Sequence, residues 1–197
     1  MPNSTENRLE EGRPEPRARA VIVLAAGASR RFGPEDKLLA HLGDSPLANA
    51  AFTLAAGTEA AQRLAIVASD EVADLAARAG LATVRLAAGG PQSASLKAGL
   101  HRLAPGIGEV LILLADMPWV ARGDIDALLA RGAPACARIG PARLPPALLP
   151  ARWVPEILRV EADQGARSWL SRIPTDHCLA LPENHLRDID RPEDMPR

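Results

Sequence analysis

Apolar residues in this chain fall into short runs separated by stretches of helical period. The run Ala20-Val21-Ile22-Val23-Leu24, within Arg19–Ala25, has no polar interruption, as in a strand buried on both faces. Val110–Leu114, bounded by Gly108 and Asp116, has the same character. Leu64–Ala68, Ala82–Leu86, Ala135–Ile139 and His177–Leu181 read as further strands. Between them Pro46–Ala56, Asp70–Ala79, Ser93–Leu103, Asp124–Ala130 and Gly165–Arg172 read as helices. Asp70–Ala79 has an acidic start and Gly80 as a stop, and Ser93–Leu103 turns Leu96, Leu100 and Leu103 to one face. This alternation predicts an α/β fold of three layers, a mostly parallel sheet with helices on both faces. Gly140–Pro155 breaks the rhythm with five prolines and predicts an irregular loop or a short hairpin. Leu186–Asp194 is a short apolar and acidic segment, and no internal repeat is visible.

Composition narrows the picture. Residues 1–18 are rich in Pro, Glu, Arg and Asn and predict a disordered tail, with 19–197 as a single domain. A net charge of -1 argues against a wholesale basic surface for nucleic acid. No apolar stretch approaches the roughly 18 residues of a membrane span. The polar N-terminus has no signal-peptide core, so a cytoplasmic protein is expected. Cys136 and Cys178 lie far apart and suggest neither a disulfide framework nor metal-ligand spacing; they read as reduced, buried thiols.

The candidate chemistry begins where the first strand ends. Leu24-Ala25-Ala26-Gly27-Ala28-Ser29-Arg30-Arg31-Phe32-Gly33, followed by Lys37, is a loop of small, hydroxyl and cationic residues. Small residues let backbone N–H groups approach an anion, and Arg30, Arg31 and Lys37 offer charge to a polyphosphate. The loop matches neither G-x-x-x-x-G-K-[ST] nor G-x-G-x-x-G, and an ordinary crossing with solvated arginines fits the same residues. Open parallel sheets bind ligands beyond the carboxyl ends of their strands. Asp116 stands at such an end, where a carboxylate beside a phosphate loop suits Mg²⁺. Capping the turn before Pro118 is its other reading. A second carboxylate is available in Asp188-Ile189-Asp190-Arg191-Pro192-Glu193-Asp194, a stretch that taken alone reads as solvated or capping. Trp119 either stacks on a ligand or fills apolar space.

Together these pieces resemble the MobA-like nucleotidyltransferases, most of all the molybdenum cofactor cytidylyltransferases, from about Arg19 to Met195. The loop with Lys37 comes first, then Ser93-Ala94-Ser95-Leu96-Lys97-Ala98-Gly99-Leu100 and Ala115-Asp116-Met117-Pro118. Asp163-Gln164-Gly165-Ala166-Arg167 and the Asp188–Asp194 segment complete the set in order. The resemblance implies a Rossmann-like nucleotide-diphospho-sugar transferase fold. It implies that CMP passes from CTP to a phosphate-bearing acceptor, molybdopterin, and that pyrophosphate leaves. Leu24 and the Ala25, Ala26 and Gly27 backbone would then lie against base and ribose, and Ser29, Arg31 and Lys37 would hold the triphosphate. Ser95, with Gly99 a turn later, would help bind base or ribose. Asp116 and Asp190 would hold Mg²⁺, making Arg31, Lys37 and Asp116 the catalytic set. Asp163, Gly165 and Arg167 would belong to the acceptor side. Ala25-Ala26-Gly27 stands where guanylyl-transferring relatives carry Ala-Gly-Gly, which favours CTP, the Ala26 β-carbon offering a steric reason.

Departures concentrate on the acceptor half. Arg191 stands where the family usually has Thr, Ala162 replaces a common glycine, and Gly140–Leu148 matches only loosely. Guanylyl transfer to molybdopterin, cytidylyl transfer to a sugar or polyol phosphate, and a non-catalytic nucleotide-binding module are the alternative readings. The resemblance also suggests transient docking to a molybdoenzyme. No histidine is assigned a catalytic role.

Overall fold

The computed structural model describes residues 18–27, 29, 31–33, 36–160 and 165–196, without the side chains of residues 165–167. Of the expected tail, only Ala18 is among them. Seven strands form one sheet: β1 (Arg19–Ala25), β4 (Gln62–Val67), β5 (Ala82–Arg85), β6 (Glu109–Leu114), β7 (Ala135–Ile139), β8 (Ala142–Pro150) and β9 (Cys178–Ala180). Their order is β5-β4-β1-β6-β8-β7-β9. β5, β4, β1 and β6 are parallel neighbours, as the apolar runs predict. β8 is antiparallel to both β6 and β7, and β7 is parallel to β9, so β8 alone runs against the other strands. A small antiparallel pair, β2 (His41–Leu42) with β3 (Ser45–Pro46), turns at Gly43, whose φ of 63° suits glycine. It takes Pro46 out of the first expected helix, which begins at Ala48.

Helices cover both faces. α1 (Ala48–Gly57), α2 (Asp70–Arg78) and α4 (Arg122–Arg131) accompany one core cluster, containing Val21, Val23, Phe52, Val72, Ile125 and Leu128. α3 (Gln92–Leu100), α5 (Val154–Arg159) and α6 (Gly165–Leu170) accompany the other, with Ile22, Leu24, Leu96, Leu100, Ile157 and Trp169. Alternate residues of β1 thus feed opposite layers, the period-2 geometry of a strand buried on both sides. α2 starts where Ser69 Oγ accepts the Val72 N–H at 3.4 Å, with Asp70 and Glu71 against the positive end of the helix. Among the described residues, no helix is long and apolar enough to cross a membrane.

The proline-rich stretch corrects the sequence reading. It is a hairpin, but its second arm is the nine-residue strand β8, inside the sheet. The prolines fall where a strand tolerates them. Pro141 follows Gly140 in the turn, and Pro145 and Pro146 lie where the β7 register shifts and beyond the β6 pairing. Pro150 ends the strand, and Pro155 sits in the first turn of α5.

Candidate active site

Sheet register brings the loop and Asp116 together. Leu24 lies opposite Leu114, and Ala115 donates its N–H to the Leu24 carbonyl at 3.1 Å. Asp116 follows immediately, beside the chain leaving β1. The Ile189 N–H donates to the Asp116 carbonyl at 3.0 Å, which lays the C-terminal segment against the same strand end. Ile189 is fully buried and anchors that segment between Asp188 and Asp190.

Lys37 opens a 3-10 turn, Lys37–Leu39. Its ammonium donates to Asp116 Oδ2 at 2.8 Å, to the Ile189 carbonyl at 2.9 Å and to Asp190 Oδ1 at 3.2 Å. Arg31 Nη2 meets the other Asp190 oxygen, Oδ2, at 2.7 Å. Arg31, Lys37, Asp116 and Asp190, drawn from three distant stretches, therefore form one cluster. Lys37 is only 6% exposed. Burial works to lower its pKa, but Asp116 and Asp190 outweigh it, and the ammonium is held above its ordinary value.

Ser29 and the Lys37 turn share a brace that the sequence reading did not single out. Asp36 Oδ1 accepts the Leu38 N–H at 3.0 Å and faces the Ser29 hydroxyl at 3.5 Å, while Oδ2 accepts from Ser69 Oγ at 3.2 Å. Ser29 has a φ of 47°, uncommon for a residue with a β-carbon. The signal was available: an aspartate just before a short helical turn is a favoured cap.

Other singled-out residues take more structural places. Ala26 is 3% exposed and belongs to the apolar cluster of Leu24 and Leu96, so its methyl is part of the core on the α3 side. Ser95 lies on α3 and is 4% exposed. Gly99 faces the sheet, where a β-carbon would stand 2.9 Å from Ile22 Cγ2 and 3.2 Å from Ile66 Cδ1. It serves the site by letting α3 pack closely on β1 and β4. Gly99→Ala is expected to cost about 1–3 kcal/mol, read by urea unfolding with an unchanged m-value. Trp119 packs against the first core cluster under the Arg187 guanidinium, 5.7 Å from its ring centroid. His185 Nδ1 donates to Asp124 Oδ2 at 2.8 Å, fastening the C-terminal segment to α4, and His177 Nδ1 donates to the Pro134 carbonyl at 2.9 Å.

Beside Asp116 opens a cavity of about 260 Å³. Leu114, Met117, Leu144, Pro145, Leu170 and Leu186 give it apolar walls, and Gln92, Arg143 and Asp188 give it polar groups. Burial, then the like charges of Asp190 and Asp116, hold the Asp188 carboxyl above its usual range. The expected acceptor residues map here only in part. Gly165 opens α6, which brings Leu170 to the cavity, whereas Asp163 and the Arg167 side chain lie outside the described residues. Arg30, read as a loop cation, is also outside them.

A basic loop meeting two carboxylates at the end of a parallel sheet is the geometry that the sequence resemblance implies. The MobA-like NTP transferase domain matches residues 21–178. The chain belongs to this family. It is a nucleotidyltransferase, and the fold agrees. A crystal structure of a homologue, from Mycobacterium sp. strain JC1, of the Mycobacterium tuberculosis protein Rv0371c superposes with a TM-score of 0.74 at 25% identity, over 89% of this chain and 92% of that one. Rv0371c of M. tuberculosis in complex with manganese gives 0.64 at 22% identity, over 83% and 87%. Molybdopterin-guanine dinucleotide biosynthesis protein A from Archaeoglobus fulgidus gives 0.63 at 20% identity, over 89% and 94%. No curated protein sequence matches the chain.

With Ser29 and Lys37 on the triphosphate, as the resemblance implies, Asp36→Ala is expected to raise KM for the nucleoside triphosphate by about 10- to 100-fold, because the two lose their common brace. Asp36→Asn, which keeps an acceptor for the Leu38 N–H, should recover most of the loss. Initial-rate kinetics on both variants check this.

Proposed function

We propose that the enzyme transfers CMP from CTP to the terminal phosphate of molybdopterin and releases pyrophosphate. The observation that carries this reading is the convergence of Arg31 and Lys37 on Asp116 and Asp190. Cations for a triphosphate and carboxylates for a metal share one strand end. The carboxylate pair fits a divalent cation. Two hard oxygens already face one positive charge, at 2.8 and 3.2 Å from Lys37 Nζ. Among the described residues no group of three or more His, Cys, Asp or Glu is placed to hold a metal. Mg²⁺ on Asp116 and Asp190 would accordingly take its remaining ligands from phosphate and water. When bound, Mg²⁺ supplies charge neutralisation at the reacting phosphates.

The chain's own residues do the positioning. Ser29, Arg31 and Lys37 bind the β- and γ-phosphates, with Lys37 and Arg31 taking up the charge that grows on departing pyrophosphate. The Leu24–Gly27 backbone lines the base and ribose. The acceptor phosphate is already ionised at neutral pH, so in-line attack on the α-phosphorus needs no general base, which accords with the structural partners of His177 and His185.

The cavity's mixed lining is compatible with a pterin. Six of the nine described residues that line the cavity are apolar, a wall suited to a flat ring system whose polar edge meets Asp188, Gln92 and Arg143. The preference for CTP rests on Ala25-Ala26-Gly27 and its likeness to the cytidylyltransferases. We place the reaction in the cytoplasm, with transient docking to the molybdoenzyme that receives the product.

Calorimetric titration with Mg²⁺ should find CTP bound at least about tenfold tighter than GTP, a difference of about 1.4 kcal/mol. Pyrophosphate should appear with CTP and molybdopterin. Tighter GTP overturns the base choice. Turnover on polyol phosphates but not molybdopterin overturns the acceptor. CTP binding without turnover on any phosphate acceptor makes the protein a nucleotide-binding module.

A further inference from the structure

Two thiols lie in contact outside the site just described. Cys136 in β7 and Cys178 in β9 are direct register partners, and their sulfurs are 3.6 Å apart. Both are free and buried, at 0% and 5% exposure. They are part of the apolar layer with Ile157, Trp169 and Ile173, and nucleotidyl transfer makes no use of them.

The backbone spacing suits a covalent link. Neighbouring strands lie about 4.8 Å apart, within the roughly 4.4–6.8 Å that Cα atoms span in a disulfide. The sulfurs need to close from 3.6 Å to the ordinary S–S length of about 2.05 Å, a movement within reach of side-chain rotation. Access comes from the sheet edge. β9 is three residues long and, among the described residues, pairs only with β7. Short edge elements open at low free energy. While the edge is closed the pair is unreactive. Burial, with the neighbouring Cys178, pushes the Cys136 thiol up to about 12, and Cys178 donates its S–H to the Pro174 carbonyl at 3.3 Å.

We infer that Cys136 and Cys178 are a modification site, forming an internal disulfide when a small-molecule disulfide reaches the β9 edge, and that this bond fastens the C-terminal segment to the sheet. Cys178, nearer the surface, attacks one sulfur of the small disulfide and expels one thiolate. Cys136 then attacks the Cys178 sulfur of the mixed disulfide and expels the second. Both cysteine sulfurs are oxidised, and the small disulfide is reduced to two thiols that carry off the two cysteine protons. β9 leads directly into the stretch holding His185, Ile189 and Asp190, so the bond pins the root of the segment that completes the site.

The test uses the full chain and glutathione disulfide as the probe. After oxidation the protein is unfolded in guanidinium with iodoacetamide, then digested and mapped by mass spectrometry without reduction. The expected result is a peptide linking Cys136 to Cys178, neither residue alkylated, and a melting temperature raised by several degrees over the reduced protein. Cys136→Ser should stop at a glutathione adduct on Cys178. Serine at a buried position can impair folding, so the wild-type map decides. Two alkylated cysteines, or an adduct that never resolves to the internal bond, overturns the inference.

Discussion

Asp116→Asn is expected to lower kcat by about 10³-fold, close to 4 kcal/mol of barrier, while the protein stays folded. Asparagine keeps the size of the side chain and an oxygen for the Lys37 ammonium but loses the charge that the proposed reading assigns to holding a divalent cation. Lys37 retains Asp190 and the Ile189 carbonyl, and the backbone bonds that fix position 116, from Ile189 N–H and through Ala115 to Leu24, do not involve the side chain. The melting temperature should therefore move by only a few degrees. Pyrophosphate release measures the first effect and thermal denaturation the second. Turnover within about tenfold of wild type would remove Asp116 from the metal site.

Lys37→Met should lose both activity and stability. Turnover falls by about 10²- to 10³-fold because a donor to the leaving phosphates is gone. Stability falls because Asp116 loses its lysine partner while Asp190 keeps Arg31. The side chains are 25% and 29% exposed, so the expected cost is about 1–3 kcal/mol, below the roughly 3–5 of a fully buried broken pair. Urea unfolding of the two proteins reads this difference. Mn²⁺ should raise the melting temperature of the variant more than that of wild type, since it restores positive charge between the same carboxylates. The pH dependence has a definite sign. The folded-state pKa of Lys37 is raised, so its contribution is fully present below the unfolded value near 10.4 and is lost as pH rises through the higher folded value. The stability gap between the proteins should thus be flat from pH 7 to about 9 and close only in strong alkali. A gap that closes near neutrality would contradict the ion-pair account.

Much of the cluster of Arg31, Lys37 and Asp116 was legible because buried parallel strands carry their burial in sequence. β1 and β6 read as unbroken apolar runs, and a parallel register then puts whatever follows them side by side, hence the loop beside Asp116. Asp190 was harder. It stands in an acidic stretch that resembles solvated surface, and only Ile189, apolar between two aspartates, marks it as docked. β8 was not legible, because five prolines argue against a strand unless the positions of turn, register shift and strand ends are already known. The cavity residues Gln92, Arg143 and Asp188 come from a helix start, a hairpin and the C-terminal segment, and no local pattern links them. Cys136 and Cys178 looked unrelated for the same reason: parallel pairing joins residues with no constraint on their separation along the chain.

The reversed direction of β8 has an evolutionary reading. Arg143 to Pro145, just past its turn, stand at the end of the sheet where β6 delivers Asp116, so the residues after a hairpin turn rather than a strand's carboxyl end furnish one wall of the cavity. A hairpin tip can lengthen, shorten or change side chains without disturbing the register of β1 against β6. The side chains lining the cavity can in this way vary on one hairpin while the register that sets the β1 loop beside Asp116 is kept.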